Sequence, residues 1–158
     1  MLRADRFKSG FTLIELMLAL AVFAILVVIA LPSYQYYIRK TRLNQAQNAL
    51  LLNAQEVERF YSQNLSFKSN STTWMPLVQT ETDHFCIRFQ GNPRGTNNQH
   101  QYTIKAVAFD TNREPRIIKI NQDHTVMLCA SSSSSCTEST PFFSGGSSVD
   151  RQCTVIGS

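Results

Sequence analysis

The feature that most restricts this chain is an apolar run. It opens at Gly10-Phe11-Thr12-Leu13-Ile14-Glu15-Leu16 and continues through Ala19, Val22, Ile25, Val28 and Ile29 to Leu31-Pro32. About 20 helical residues cross a hydrocarbon core, so the run is long enough to sit in a membrane. It carries one charge, Glu15. A carboxylate facing lipid without a partner is costly, and an anchor has no need of one, so Glu15 marks a functional position. Arg3, Arg6 and Lys8 against Asp5 precede the run and hold the amino end in the cytoplasm. No small-residue cleavage site of the secretory kind comes before Pro32, so the helix is expected to be kept.

Pro32 removes one helical hydrogen bond and favours a kink, yet the pattern goes on beyond it. Leu43, Ala46, Leu50, Ala54, Val57, Phe60 and Tyr61 recur at steps of three or four, with Arg39, Arg42, Asn44, Asn48, Gln55 and Arg59 on the other face. The spacing predicts one long helix from about Thr12 to about Gln63, its second half packed on a head domain. From Phe85 the period becomes two. Phe85, Ile87 and Phe89 alternate with Cys86 and Arg88, Tyr102 to Ala108 repeats the alternation, and Ile118 and Ile120 flank Lys119. With turns rich in Gly, Asn and Pro between them, these read as strands. A fourth strand, His124 to Cys129, completes an antiparallel meander whose inner face covers the helix. The Ser- and Gly-rich tail, 130–158, is expected to be a loop region with too few apolar residues to hold its shape by burial.

The 158 residues leave room for one head of modest size besides the helix. Cys86, Cys129, Cys136 and Cys153 all follow the membrane segment, and an even count on the far side of a membrane argues for two disulfides rather than the close pairs of a zinc site. Three pairings remain open, with Cys86 to Cys136 and Cys129 to Cys153 preferred. His84, His100 and His124 lack metal spacing, and neither a phosphate-binding Gly-Lys loop nor a nucleophile elbow is found. Neither catalysis nor a cofactor or metal is expected.

Charge is the better guide. The net charge is +4, and between Arg88 and Lys119 the bases Arg88, Arg94, Lys105, Arg113, Arg116 and Lys119 outnumber Asp110 and Glu114. Parity sends Arg88, Lys105 and Lys119 to the face away from the helix, where adjacent strands about 4.8 Å apart would form a basic stripe. Arg94, Arg113 and Arg116 would extend it at the turns. Charge on a wet sheet face is ordinary, but the same sign on three neighbouring strands repels itself, and phosphate is the natural counterpart. Three neutralised phosphates give a salt slope of about −2.7. Asn92, Arg94, Asn97, Asn98, Gln99 and Ser131 to Ser135 are candidates for groove contacts. Trp74 reads either as a packing residue or as one that stacks on nucleic acid.

Lys8-Ser9-Gly10 before Phe11-Thr12-Leu13-Ile14-Glu15-Leu16 resembles the prepilin motif of type IV pilins and pseudopilins. The resemblance implies cleavage between Gly10 and Phe11 by a prepilin peptidase, N-methylation of Phe11, and pairing of Glu15 with the freed amino group of a neighbouring subunit. Several stretches of the head resemble one branch of that family, the competence minor pilins that act as DNA-uptake receptors. They are Phe60-Tyr61 with Gln63-Asn64, Phe67-Lys68 with Ser71-Thr72-Thr73-Trp74, Phe85-Cys86-Ile87-Arg88, Arg94-Gly95, Lys105 to Asp110, and Ile117 to Asn121 followed by Cys129 and Cys136. The tail loop is longer than the family's, and Thr73 stands where a Lys would add charge.

The implied fold is α+β, with a long N-terminal helix on a four-stranded antiparallel sheet and a disulfide-stapled C-terminal region. Its divisions are a leader (1–10), a membrane and filament-core helix (11–32) and a head (33–158). Within the head fall a helix half (33–64), a connection (65–84), the sheet (85–129) and the tail (130–158). The implied partners are double-stranded DNA, other pilin subunits, the peptidase and methylase, and the inner membrane before assembly into a surface filament. Arg88, Lys105 and Lys119 match positions that carry DNA binding in the family. The rival expectations are a structural or adhesive minor pilin and a secretion pseudopilin.

Overall fold

The structure is a computed structural model that describes residues 11–94, 99–146 and 148–157. Gly10, Gly95, Asn97 and Asn98, singled out above, lie outside the described residues. The chain divides into two compact units, Met1–Ile38 and Arg39–Ser158.

Helix α1 covers Leu13–Asn64 with Pro32 inside it, close to the expected bounds. Thr12 and Glu15 start it as a capping box. The backbone N–H and the hydroxyl of Thr12 each donate to Glu15 Oε2 at 3.0 Å, and Glu15 N–H donates back to Thr12 Oγ1 at 3.3 Å. Within the first unit the large apolar side chains, including Leu20, Phe23, Leu26 and Val28, are exposed. A helix this long and apolar meets the criterion for crossing a membrane.

In the second unit, α1 buries Leu43, Ala46, Ala49, Leu50, Asn53, Ala54 and Val57, one stripe at steps of three and four. Its alanines keep the helix close to the sheet. Opposite them lie Phe85, Ile87 and Phe89 of β3 (Phe85–Phe89), Ile104, Ala106 and Ala108 of β4 (Thr103–Ala108), Ile118 and Ile120 of β5 (Ile117–Asn121), and Val126 of β6 (Val126–Ser132). Each large apolar side chain buried here contributes about 1.5–3 kcal/mol. Asn53 is the polar member of the stripe. Its amide donates to Gln79 O at 2.7 Å and accepts from Gln79 N–H at 3.0 Å, which pins the connection before β3 to the helix.

The sheet has five strands rather than four. The expected meander β3-β4-β5-β6 is antiparallel throughout, and β7 (Asp150–Gly157) adds to its edge. The part of the tail taken for a loop thus ends in a strand. Its residues from Arg151 to Ile156 are all exposed, so burial imposed no alternation that a period could reveal. His124, placed in the fourth strand by its sequence, instead occupies the β5–β6 turn with φ 57°, and β6 begins two residues later. A small hairpin, β1 (Lys68–Asn70) and β2 (Thr73–Trp74), lies within the connection. The disulfides are Cys86–Cys136 and Cys129–Cys153. The second joins residues directly opposite on β6 and β7.

Replacing Asn53 by Ala leaves the Gln79 amide and carbonyl without their buried partner. Urea denaturation should show a loss of about 1–3 kcal/mol, and no change in the midpoint would mean that the clamp is idle.

Candidate nucleic-acid interface

The three cations expected to form a stripe are neighbours in register, with Arg88 opposite Lys105 and Lys105 opposite Lys119. Their strand neighbours Ile87, Phe89, Ile104, Ala106, Ile118 and Ile120 all join the core on the helix side, so the cations leave the opposite face, as parity requires. That face is not open. Residues 133–146 and 148–149 cross it as a strap, bringing Phe143 into a second buried cluster with Cys86, Val107, Ile117 and Cys129.

Each cation is engaged under the strap. The Arg88 guanidinium donates to the carbonyls of Cys136 (2.8 Å), Glu138 (2.9 Å) and Thr140 (2.8 Å) and lies 5.3 Å from the centroid of the Phe143 ring. Lys105 is 0% exposed. Its ammonium donates to Ser134 Oγ and Asp150 Oδ1, both at 2.9 Å, and sits 5.5 Å from the Phe143 centroid. Lys119 donates to Asp150 Oδ2 at 3.1 Å. Asp150 accepts two further hydrogen bonds, from Ser132 Oγ at 2.7 Å and Gln90 Nε2 at 3.2 Å. The expectation of an exposed stripe is therefore corrected: these side chains meet a carboxylate, carbonyls and an aromatic ring of their own chain. Burial alone would raise the Asp150 carboxyl, but hydrogen bonds from Lys105, Ser132 and Lys119 hold it below the usual carboxylate range. Burial draws the Lys105 ammonium down against the opposing pull of Asp150.

The turn cations do not join this row. Arg94 is exposed just beyond the end of β3, in an Asx turn closed by its N–H on Asn92 Oδ1 at 3.0 Å. Arg113 and Arg116 belong to the β4–β5 connection at the opposite end of the sheet, since Phe89 pairs with the start of β4 and Phe85 with its end. Arg113 is 3.4 Å from Asp110, and Arg116 makes a forked contact with Glu114 at 2.6 and 2.7 Å. Ser132 and Ser134, proposed for groove contacts, point instead at the buried ion group.

The strap does approach the Arg94 turn. Gly91 N–H donates to Phe143 O at 2.8 Å and Phe143 N–H to Phe89 O at 2.8 Å, and a Cβ on Gly145 would lie 3.4 Å from Gly91 Cα. Trp74 packs here: it stacks on Phe89 at 4.7 Å and donates its indole N–H to Gly91 O at 2.9 Å. Between the hairpin, the turn and the strap runs a groove of about 560 Å³ lined by residues that include Thr72, Thr73, Arg88, Pro93, Pro141 and Phe142. Sequence reasoning missed it, because its three walls come from separate segments. Trp74 and Arg88 of its lining stand out in the sequence, but nothing there sets them side by side.

Removing one member of a buried ion pair strands its partner, so Asp150→Ala should cost about 3–5 kcal/mol. Because the folded carboxyl titrates lower than the unfolded one, its stabilisation is present above about pH 4 and is lost as pH falls further. Denaturation midpoints of the wild type should drop in that acid window, and those of Asp150→Asn should drop less. Parallel profiles would disprove the linkage.

The family model for the type IV minor pilin ComP, DNA uptake sequence receptor, matches residues 32–116, and the prokaryotic N-terminal methylation motif matches residues 5–31. The solution structure of the minor DNA-uptake pilin ComP from Neisseria subflava aligns with a TM-score of 0.60 and 36% identity, covering 74% of this chain and 97% of that one. The global fold of the type IV pilin ComP from Neisseria meningitidis aligns with a TM-score of 0.51 and 36% identity, over 77% and 99% of the two chains. The fimbrial protein EcpC of Eikenella corrodens is 42% identical over 55 residues, 35% of this chain and 36% of that protein. A fimbrial protein of Neisseria meningitidis is 38% identical over 68 residues, 42% of this chain and 39% of that protein. In both fimbrial matches the chain spans less than half of the relative's length.

Proposed function

Because the chain belongs to the family of the type IV minor pilin ComP, DNA uptake sequence receptor, we propose that it is a pilus subunit that captures double-stranded DNA for natural transformation, with preference for a short uptake sequence. The observation that carries this reading is the family match over residues 32–116. The methylation motif and the apolar helix fit a membrane-anchored precursor and a pilus at the surface. Pilin relatives support association with other pilin subunits.

The role is capture, not catalysis. In this reading DNA docks where the strap, the β1–β2 hairpin and the Arg94 turn meet. Arg94 engages phosphate, which positions the duplex without reading its sequence. Hydroxyls and backbone groups along the groove, from Thr72 and Thr73, serve base edges or groove shape. Arg113 and Arg116, partnered by carboxylates at the other end of the sheet, contribute less. At the other end of the chain, cleavage between Gly10 and Phe11 by a prepilin peptidase releases the amino group of Phe11, which is then methylated and stays cationic. Glu15 then moves from its capping role to an ion pair with that amine on a neighbouring subunit.

A plate or gel-shift assay on duplex DNA tests the receptor role. Arg94→Ala should weaken binding across all sequences and reduce the magnitude of the salt slope by about 0.9, the value for one phosphate. An intact protein without duplex affinity would leave a purely structural or adhesive pilin. Separately, Glu15→Ala should abolish incorporation into pili, scored by immunoblot of sheared filaments, while the duplex affinity of the purified subunit stays unchanged. A fall in that affinity would contradict the division of labour.

A further inference from the structure

We infer that Asp150 is a positioning residue for DNA binding: with Arg88 and Lys105 it fixes the strap against the Arg94 turn, and Lys105 acts through the strap rather than on phosphate. The inference rests on the DNA-receptor reading above. Its first ground is steric. Lys105 and Phe143 are both 0% exposed, and a duplex cannot reach the Lys105 ammonium past a ring and a carboxylate. Its second is the reach of the ion group. Four donors, from Lys105, Lys119, Ser132 and Gln90, converge on the two oxygens of Asp150, so one carboxylate at the end of the strap is tied to β4, β5 and β6 together.

The third ground is the composition of the strap. Between Ser133 and Val149 the chain is mostly Ser, Thr and Gly, with Phe142 and Phe143 as its large apolar side chains. Such a segment loses more entropy on ordering than its burial returns. Polar anchors therefore decide its position, and the fork of Arg88 is well suited to this. Its donors reach three alternate carbonyls, those of residues 136, 138 and 140, and so fix the direction of the segment as well as its distance. At one end the Cys86–Cys136 bridge ties the strap to β3, and at the other Asp150 opens β7. Between them the strap's Phe143 holds Gly91, three residues from Arg94. Loss of Lys105 would thus disturb the binding face without that ammonium ever having touched DNA.

The full-length chain in detergent micelles, titrated with duplex over a range of salt, separates the two roles. Lys105→Ala and Asp150→Asn should each weaken binding by about tenfold, equivalent to about 1.4 kcal/mol, and raise amide hydrogen exchange across 133–149. Lys105→Met combined with Asp150→Leu fills the same space without charge, and such replacements of buried pairs are often neutral. It should restore both the affinity and the protection, with the wild-type salt slope. Arg88→Lys keeps the charge but loses the fork, and should behave like Lys105→Ala.

Loss of binding by the Met–Leu pair, with protection intact and the slope reduced by about 0.9, would make Lys105 a phosphate contact and overturn the inference. Wild-type affinity and protection in Arg88→Lys would overturn it as well, and that variant decides the matter if the Met–Leu pair does not fold. A wild-type chain that binds no duplex would defeat the receptor reading alone. In that case the exchange measurements still judge the strap: unchanged protection in Lys105→Ala and Asp150→Asn would defeat the positioning role.

Discussion

The head depends on one carboxylate. Three cations on adjacent strands stand directly opposite one another, an arrangement that repels itself and would bend or fray an isolated sheet. Asp150 removes the difficulty by placing one oxygen on Lys105 and the other on Lys119. That position is available because Asp150 is the first residue of β7, where the strap returns to pair with Ser132 of β6. The pairing of the last strand and the bridging of the two lysines are therefore one event, while Arg88 is met by carbonyls of the strap. A buried pair of this sort is weak evidence for net stability, since desolvation offsets much of the attraction. Its value lies in specification. Few other arrangements of a Ser- and Gly-rich segment would satisfy two lysines and a guanidinium at once.

The two disulfides act on the same problem from the side of entropy. Cys86–Cys136 links the second strand residue of β3 to the strap across a sequence separation of 50, and Cys129–Cys153 staples β6 to β7 across 24. Loop closure of these lengths restricts the unfolded chain by a few kcal/mol each, about 2–4 in typical cases. Cys86 leaves β3 on the same side as Arg88, so its bridge also sets which face the strap covers. The cation row adds the position of the strap on that face, and the aromatic ring of Phe143 lies against both Arg88 and Lys105. Covalent and ionic restraints thus act on one face: the bridge brings the segment there and the polar anchors fix its course.

What the sequence disclosed follows from which interactions leave a periodic trace. The helix was legible because Leu43, Ala46, Leu50, Ala54 and Val57 lie on one stripe, and the inner strands because Phe85, Ile87, Phe89 and Ile104 alternate against it. Parity also placed Arg88, Lys105 and Lys119 on the far face. It could not say what lies above that face. A layer of Ser, Thr and Gly has no period, and the acid that matches the row is 31 residues from Lys119 and 45 from Lys105. β7 was missed for a related reason: from Arg151 to Ile156 both of its faces are exposed, so that stretch shows no alternation of apolar and polar burial. The capping role of Glu15, by contrast, was present in the spacing Thr12-x-x-Glu15 and was masked by the larger question of why an acid should sit in an apolar helix.

Glu15 and Asp150 pose the same question in different solvents. Each is a carboxylate in surroundings that penalise charge, and each is retained because its partners are fixed by geometry. Among the described residues the partners of Glu15 are the N–H and hydroxyl of Thr12, neutral donors that satisfy hydrogen bonding without bringing a charge. A carboxylate is stabilised further by any cation brought to it in an apolar medium, and under the proposed function a neighbouring subunit's amino terminus would be that cation. Asp150 has already found its cations within the chain. Under the proposed function the difference sorts the two acids: Glu15, held by neutral donors, is suited to joining subunits, and Asp150, held by two ammonium groups, is suited to holding a surface still.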